Sequence, residues 1–230
     1  MLKAENVSKS FKGVKANNNI TLEADRGEIA LLLGLNGAGK STFIKCICGL
    51  LKFDGKITVG GFDCRSLEAK KLIGYVPETP ALYDYLTVDE HLQFIERAYR
   101  CSNPGLKEAL LEKFELTDKR DKLGKELSKG MQQKLSICCT LLHEPQLIIF
   151  DEPMIGLDPY AIKTLKSVFS QLKQEGKTVL ISTHILDSVE NYWDKAYILS
   201  KGELKAQMSS GEESQSLEEL FFSVTGVEDK

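Results

Sequence analysis

Nine consecutive residues constrain this chain more than any others. Gly34-Leu35-Asn36-Gly37-Ala38-Gly39-Lys40-Ser41-Thr42 fits the pattern G-x-x-x-x-G-K-[ST]. The unbroken aliphatic run Ile29–Leu33 precedes it, as expected of a strand buried on both faces. A helical pattern over residues 40–51 follows. Between strand and helix, the glycines let the backbone curl so that several N–H groups face one anion. The helix adds the positive end of its dipole. Lys40 brings a point charge to the outer phosphates, and the Ser41 hydroxyl is placed to bind Mg²⁺. The nine residues are therefore candidate ligands of a nucleoside triphosphate.

A second aliphatic run, residues 147–150, ends in Asp151-Glu152-Pro153. An Asp at the end of such a strand reaches the Mg²⁺ shell in phosphate-loop folds, which assigns Asp151 to the metal with Ser41. Glu152 is one residue further and points elsewhere. It is the candidate general base for a water in line with the γ-phosphate.

Around these sites, short apolar runs alternate with helical patterns. Strands are predicted at 2–7, 20–23, 29–33, 56–59, 73–76, 147–150 and 179–182. A hairpin is predicted at 195–199 and 203–207, around Lys201-Gly202. From about residue 87 to 117 the pattern is helical, with Pro104-Gly105 dividing 90–99 from 106–114. A further helix follows Ser128, and Ile162, Leu165, Val168, Phe169 and Leu172 recur at helical spacing. A polar linker at 209–216 leads to a closing helix at 217–224. The layout is α/β with a helical insertion in the middle.

Composition narrows the function classes. The net charge of −3 offers no bulk attraction to nucleic acid or anionic lipid. No apolar run approaches the ~20 residues that cross a bilayer, and residues 1–13 lack the apolar core of a signal peptide. A soluble chain is expected, serving any membrane process through a partner. The six cysteines contain no C-x-x-C pair, so they are expected to be small buried hydrophobes in a reducing compartment.

Four more segments complete a resemblance to ABC ATPases. Leu127-Ser128-Lys129-Gly130-Met131-Gln132-Gln133 resembles the family signature, usually L-S-G-G-Q. Gly156-Leu157-Asp158-Pro159 resembles the D-loop, Ser182-Thr183-His184 the switch histidine, and Tyr75-Val76-Pro77-Glu78 lies where the family has its Q-loop. Their order and spacing match over essentially the whole chain.

The resemblance implies a P-loop NTPase core with a mixed sheet, an N-terminal antiparallel β-subdomain and an inserted helical subdomain at about 82–127. One domain would span residues 1–230, with a short tail helix in 209–230. It implies ATP and Mg²⁺ as ligands and two cassettes, identical or sister subunits, sandwiching ATP head to tail. In that arrangement Ser128, Lys129, Gly130, Met131 and Asp158 serve the nucleotide of the other protomer. Ser128 is a good N-cap, so the helix end behind it is itself an anion site. His184 is implied to hold the γ-phosphate and the transition-state geometry with Glu152. Phe11 sits where the family stacks an aromatic on adenine.

Two departures stand out. Glu78 replaces the usual Gln; it still offers oxygen to Mg²⁺ but adds negative charge. Lys129 and Met131 replace Gly and Gln, a K-G-M form resembling multidrug, antibiotic or peptide exporters. The lack of a long domain after residue 208 is expected to disfavour the sugar-importer type.

The resemblance also implies a separate transmembrane permease as partner, a peripheral position at the cytoplasmic face of the membrane, and no nucleic acid. Leu82, Tyr83, Tyr85 and Leu86 are candidates for the docking groove or for packing of the insertion. The main alternative is a non-transport ABC ATPase acting as a mechanical switch on ribosomes or DNA. Translation-type members usually carry two cassettes in one chain. Repair members insert long coiled coils, whereas here 87 residues (41 to 127) separate Lys40 from Ser128 and no heptad run is visible. An ATP clamp without hydrolysis is the other alternative, and Glu152 argues against it. No N-K-x-D motif points to a GTPase.

Overall fold

The structure is a computed structural model, which describes residues 1–186, 192–211 and 216–226. Its centre is a six-stranded sheet in the order β10-β9-β3-β8-β7-β6. These strands are β3 (Ile29–Leu33), β6 (Ile73–Val76), β7 (Leu147–Asp151), β8 (Thr178–Thr183), β9 (Lys195–Ser200) and β10 (Glu203–Ser209). Five run parallel and the edge strand β10 is antiparallel, so the sheet is mixed. A separate antiparallel sheet, in the order β2-β1-β4-β5, comprises β1 (Leu2–Phe11), β2 (Val14–Ala24), β4 (Asp54–Val59) and β5 (Phe62–Asp63).

The continuous aliphatic runs are explained by a core on each face of the central sheet. On β3, Ile29, Leu31 and Leu33 join one cluster, while Ala30 and Leu32 join the other. On β7, Ile148 and Phe150 face the first cluster, Leu147 and Ile149 the second. Successive side chains leave a strand on opposite sides, so a strand covered twice cannot alternate with polar residues. The second cluster fills the space between this sheet, the β1–β2–β4 sheet and α1 (Lys40–Ile47). The first is covered by α3 (Val88–Tyr99), α4 (Pro104–Lys113), α5 (Lys129–Leu142), α6 (Pro159–Gln174) and α7 (Leu217–Thr225).

Several expected boundaries move. The first two strands are longer than the apolar runs suggest, because β1 and β2 pair along their whole length across shifts in register. The helix expected over 40–51 stops at Ile47: Leu50 N–H bonds to the Lys45 carbonyl, one residue out of helical register. Pro104 and Gly105 do not divide two helices but open α4, where the missing N–H of proline costs nothing and Asn103 caps Leu106. The short helix α2 (Leu67–Leu72), capped by Ser66, has no apolar periodicity to announce it. Residues 212–215, within the linker expected at 209–216, lie outside the described residues.

All six cysteines are free thiols; Cys46, Cys48, Cys64 and Cys138 are buried, while Cys101 and Cys139 are half-buried. Among the described residues no helix is long and apolar enough to cross a membrane.

Candidate functional site

Four parallel strands deliver their C-terminal ends to one cleft. The glycine-rich loop follows β3, Glu78 follows β6, Asp151 closes β7 with Glu152 directly after it, and His184 follows β8. The crevice beyond the carboxyl ends of parallel strands is where open α/β sheets bind ligands. The cleft, of about 520 Å³, is lined by Ala16, residues 35–42, Glu78, Glu152, Ile155 and His184.

The loop is held from outside as well as by its own glycines. Asn17, fully buried in β2, donates from Nδ2 to the Gly39 carbonyl at 3.1 Å. The Gly202 N–H, in the β9–β10 turn, donates to the Ala38 carbonyl at 3.0 Å. Gly39 takes φ +102° as N-cap of α1, and a Cβ there would lie 2.5 Å from the Ala16 carbonyl oxygen. Only glycine closes that junction.

Lys40 is buried at the mouth of α1. Its Nζ donates to the Gly34 carbonyl at 2.6 Å and lies 3.2 Å from Glu152 Oε1. Glu152 Oε1 is also 2.9 Å from His184 Nδ1. The other oxygen, Oε2, is buried and has no hydrogen-bond partner among the described residues. Glu152 has φ +48°, a strained value for a residue with a side chain. It is anchored there by its N–H, which reaches the Ser182 carbonyl at 3.0 Å and Ser182 Oγ at 3.2 Å.

One residue earlier, Asp151 Oδ1 accepts from Ser41 Oγ at 3.2 Å and from Ser182 Oγ. Tyr75, on β6, has its hydroxyl held in the neutral form by burial and by the negative charge of the Asp151 carboxylate. Ser41 Oγ and Asp151 could hold a hard cation, with the exposed Glu78 lining the same cleft. Among the described residues no three His, Cys, Asp or Glu side chains are arranged to hold a metal unaided. The donor set therefore fits Mg²⁺ carried on phosphate oxygens, the usual mode for that ion.

The site residues expected from sequence divide into two groups. Gly34–Thr42 of the loop, Asp151, Glu152, His184 and Glu78 come together. Ser128, Lys129, Gly130, Met131 and Asp158 do not line this cleft. Ser128 caps α5, accepting from Met131 N–H at 3.3 Å. Asp158 caps α6, accepting from Ala161 N–H at 2.8 Å. Phe11, at the β1–β2 hairpin, is 45% exposed beneath the Lys9 ammonium and outside the cleft lining. Ser182, Asn17, Ala16 and Tyr75 were not singled out by their chemistry. Ser182 and Tyr75 lie inside motif segments, but nothing in the sequence shows which partners they meet.

A second depression of about 710 Å³ lies between β6, α3 and α5. Leu82 and Tyr83 line it, together with Tyr75, Phe94, Tyr99 and His143. Tyr85 and Leu86 do not: Tyr85 is 75% exposed under Lys125, and the Leu86 carbonyl accepts from Gly124 N–H.

Known proteins resemble this chain in sequence and fold. The profile of a family described as ABC transporter matches residues 17–155. The ABC-type transporter ATP-binding protein EcsA of Bacillus subtilis is 40% identical over 82% of this chain and 79% of its own length. The linearmycin resistance ATP-binding protein LnrL, also of Bacillus subtilis, is 38% identical over 90% of this chain and 68% of its own. A solved structure of an ATP binding subunit of an ABC transporter superposes with a TM-score of 0.90, at 37% identity, covering 97% of this chain and 99% of that one. A dimeric post-hydrolysis state of the cassette MJ0796, bound to ADP and Pi, gives a TM-score of 0.79 at 26% identity, covering 91% and 98%. The loop, the acidic strand end and these likenesses agree: the chain belongs to the ABC transporter family and is one of its ATP-binding ATPase subunits.

Proposed function

We propose that this chain hydrolyses ATP to drive an exporter of drug, antibiotic or peptide type, as a cassette that dimerises around ATP beneath a separate membrane subunit. The observation that carries the reading is the buried constellation of Lys40, Glu152 and His184 beside Ser41 and Asp151. A triphosphate entering the glycine-rich loop meets the α1 N-terminus and Lys40. It competes with Glu152 for that ammonium. Glu152, released from Lys40 and with His184 as its remaining neighbour, is placed to take the proton of an attacking water. His184 orients the carboxylate and adds a polar group toward the γ-phosphate. Ser41 and Asp151, with Glu78 nearby, would hold Mg²⁺, which would supply positive charge to the phosphate oxygens.

The Ser128-capped end of α5 is the second anion site and does not line this chain's own cleft. A second cassette supplies it in trans, with Lys129, Gly130, Met131 and Asp158 alongside. Phe11 offers an exposed ring to adenine. Leu82, Tyr83, Phe94 and Tyr99 form the apolar wall on which a permease docks, with the chain peripheral at the cytoplasmic face. The K-G-M signature and the likeness to a resistance protein support the exporter type.

Purification of the tagged chain from membranes of its own cells tests the reading. A co-purifying protein with about six apolar spans, lost with Tyr83→Asp, is the expected result. Phosphate release without any membrane partner would leave an ATPase of another kind.

A further inference from the structure

On α5, Gly130 and Lys134 stand four residues apart and share one helix face. Both meet the loop that leads into α6. A Cβ on Gly130 would come within 2.9 Å of the Gly156 carbonyl oxygen, so helix and loop touch almost backbone to backbone. One turn on, Lys134 Nζ lies 2.9 Å from Glu115 Oε2 and 3.5 Å from Asp158 Oδ2. The lysine side chain is only 10% exposed, whereas Glu115 and Asp158 are 57% and 55% exposed.

Burial opposes the charge on Lys134. The Glu115 bond and the Asp158 carboxylate outweigh it and hold the ammonium above its ordinary value. Asp158 is in turn held below the usual carboxylate range by the Ala161 N–H and by Lys134. Glu115 follows α4 in the helical insertion, and Asp158 caps α6 against the central sheet. One cation therefore joins three elements of different parts of the fold.

We propose that Lys134 is a positioning residue: it locks the phosphate-facing end of α5 (128–131) to the loop 156–158 of the same chain, so that a second cassette meets both as one preassembled surface. The inference rests on the sandwich reading above. Without the ammonium, two carboxylates remain on neighbouring elements with no cation between them, and the Gly130–Gly156 contact is held by packing alone. Ordering the two segments then falls to the dimerisation step, which weakens it.

Light scattering with ATP, calorimetric ATP titration of the monomer, and hydrogen–deuterium exchange of residues 154–160 test the proposal on three variants. Lys134→Met keeps length without charge, Lys134→Arg restores charge, and Glu115→Gln removes the nearer carboxylate partner at a residue outside the nucleotide-facing segments. Lys134→Met is expected to weaken ATP-driven dimerisation about tenfold while monomer affinity stays within about twofold. Exchange at 154–160 rises in the same variant, and Lys134→Arg restores most of both. Adding Glu115→Gln to Lys134→Met costs nothing more, since the partners act as a unit. Unchanged exchange in Lys134→Met overturns the proposal, as does full additivity. If the parent protein itself fails to dimerise with ATP, the sandwich reading falls separately, and the exchange comparison still decides whether Lys134 holds the loop.

Discussion

Lys40 and Glu152 form a buried ion pair, with Nζ 3.2 Å from Oε1 and each side chain 6% exposed. The pair joins the loop that receives the triphosphate to the carboxylate proposed to attack it through water. Each group is the other's counter-charge, so in the proposed cycle nucleotide binding and arming of Glu152 would be one exchange of partners.

Glu152→Gln removes the base and weakens the competitor for Lys40. Turnover should fall at least about a hundredfold, with ATP affinity retained or increased and an ATP-bound dimer accumulating. Phosphate release and light scattering measure the two effects; wild-type turnover in this variant would remove the base assignment.

Lys40→Ala should abolish ATP binding by calorimetry. It also leaves a buried carboxylate without its cation, with an Oε2 that has no partner among the described residues. The fold should lose about 3 kcal/mol in urea denaturation. Unchanged ATP affinity contradicts the loop assignment, and unchanged stability contradicts the ion pair.

Ser128→Arg places a long cation at the exposed end of α5, away from the chain's own cleft. Monomer binding of ATP should survive, the lost cap costing about 1 kcal/mol of stability. Dimerisation on ATP should be lost. A variant that dimerises normally shows that this helix end does not meet the second nucleotide.

His143 gives a pH dependence. Its ring stacks on Tyr99 at 3.8 Å, and burial lowers its pKa despite the Ile73 carbonyl at 3.3 Å, which favours the charged form. The folded chain thus binds this proton less readily than the unfolded one. Its contribution is complete above the ordinary value of 6.5 and is lost as pH falls below it. Between about pH 7.5 and about pH 5.5 the urea midpoint should fall less in His143→Gln than in the parent. Equal slopes would place the titration elsewhere.

Much of the central sheet was legible because burial on both faces leaves a signature along the chain. The runs at 29–33 and 147–150 could hardly be anything but strands between two cores. The glycine-rich loop, Asp151-Glu152 and the Ser128 cap were legible for a different reason: each needs particular residue types at neighbouring positions. Boundaries were less so. Hydrogen bonding along β1 and β2 extends past the apolar residues, and Pro104 reads equally as a breaker between helices or as the first residue of one.

What the amino-acid order determined by itself was local chemistry: a phosphate-cradling turn, two carboxylates at a strand end, a serine-capped helix, and strands too apolar to face water. What only the tertiary structure decided was who meets whom across long intervals. Asn17 reaches Gly39, Ser182 holds Asp151 and Glu152, and Lys134 lies between Glu115 and Asp158. Neighbours in sequence constrain one another through backbone geometry, which a motif records. Residues tens of positions apart meet only when the sheet order and helix packing bring them together, and no single segment encodes that distance.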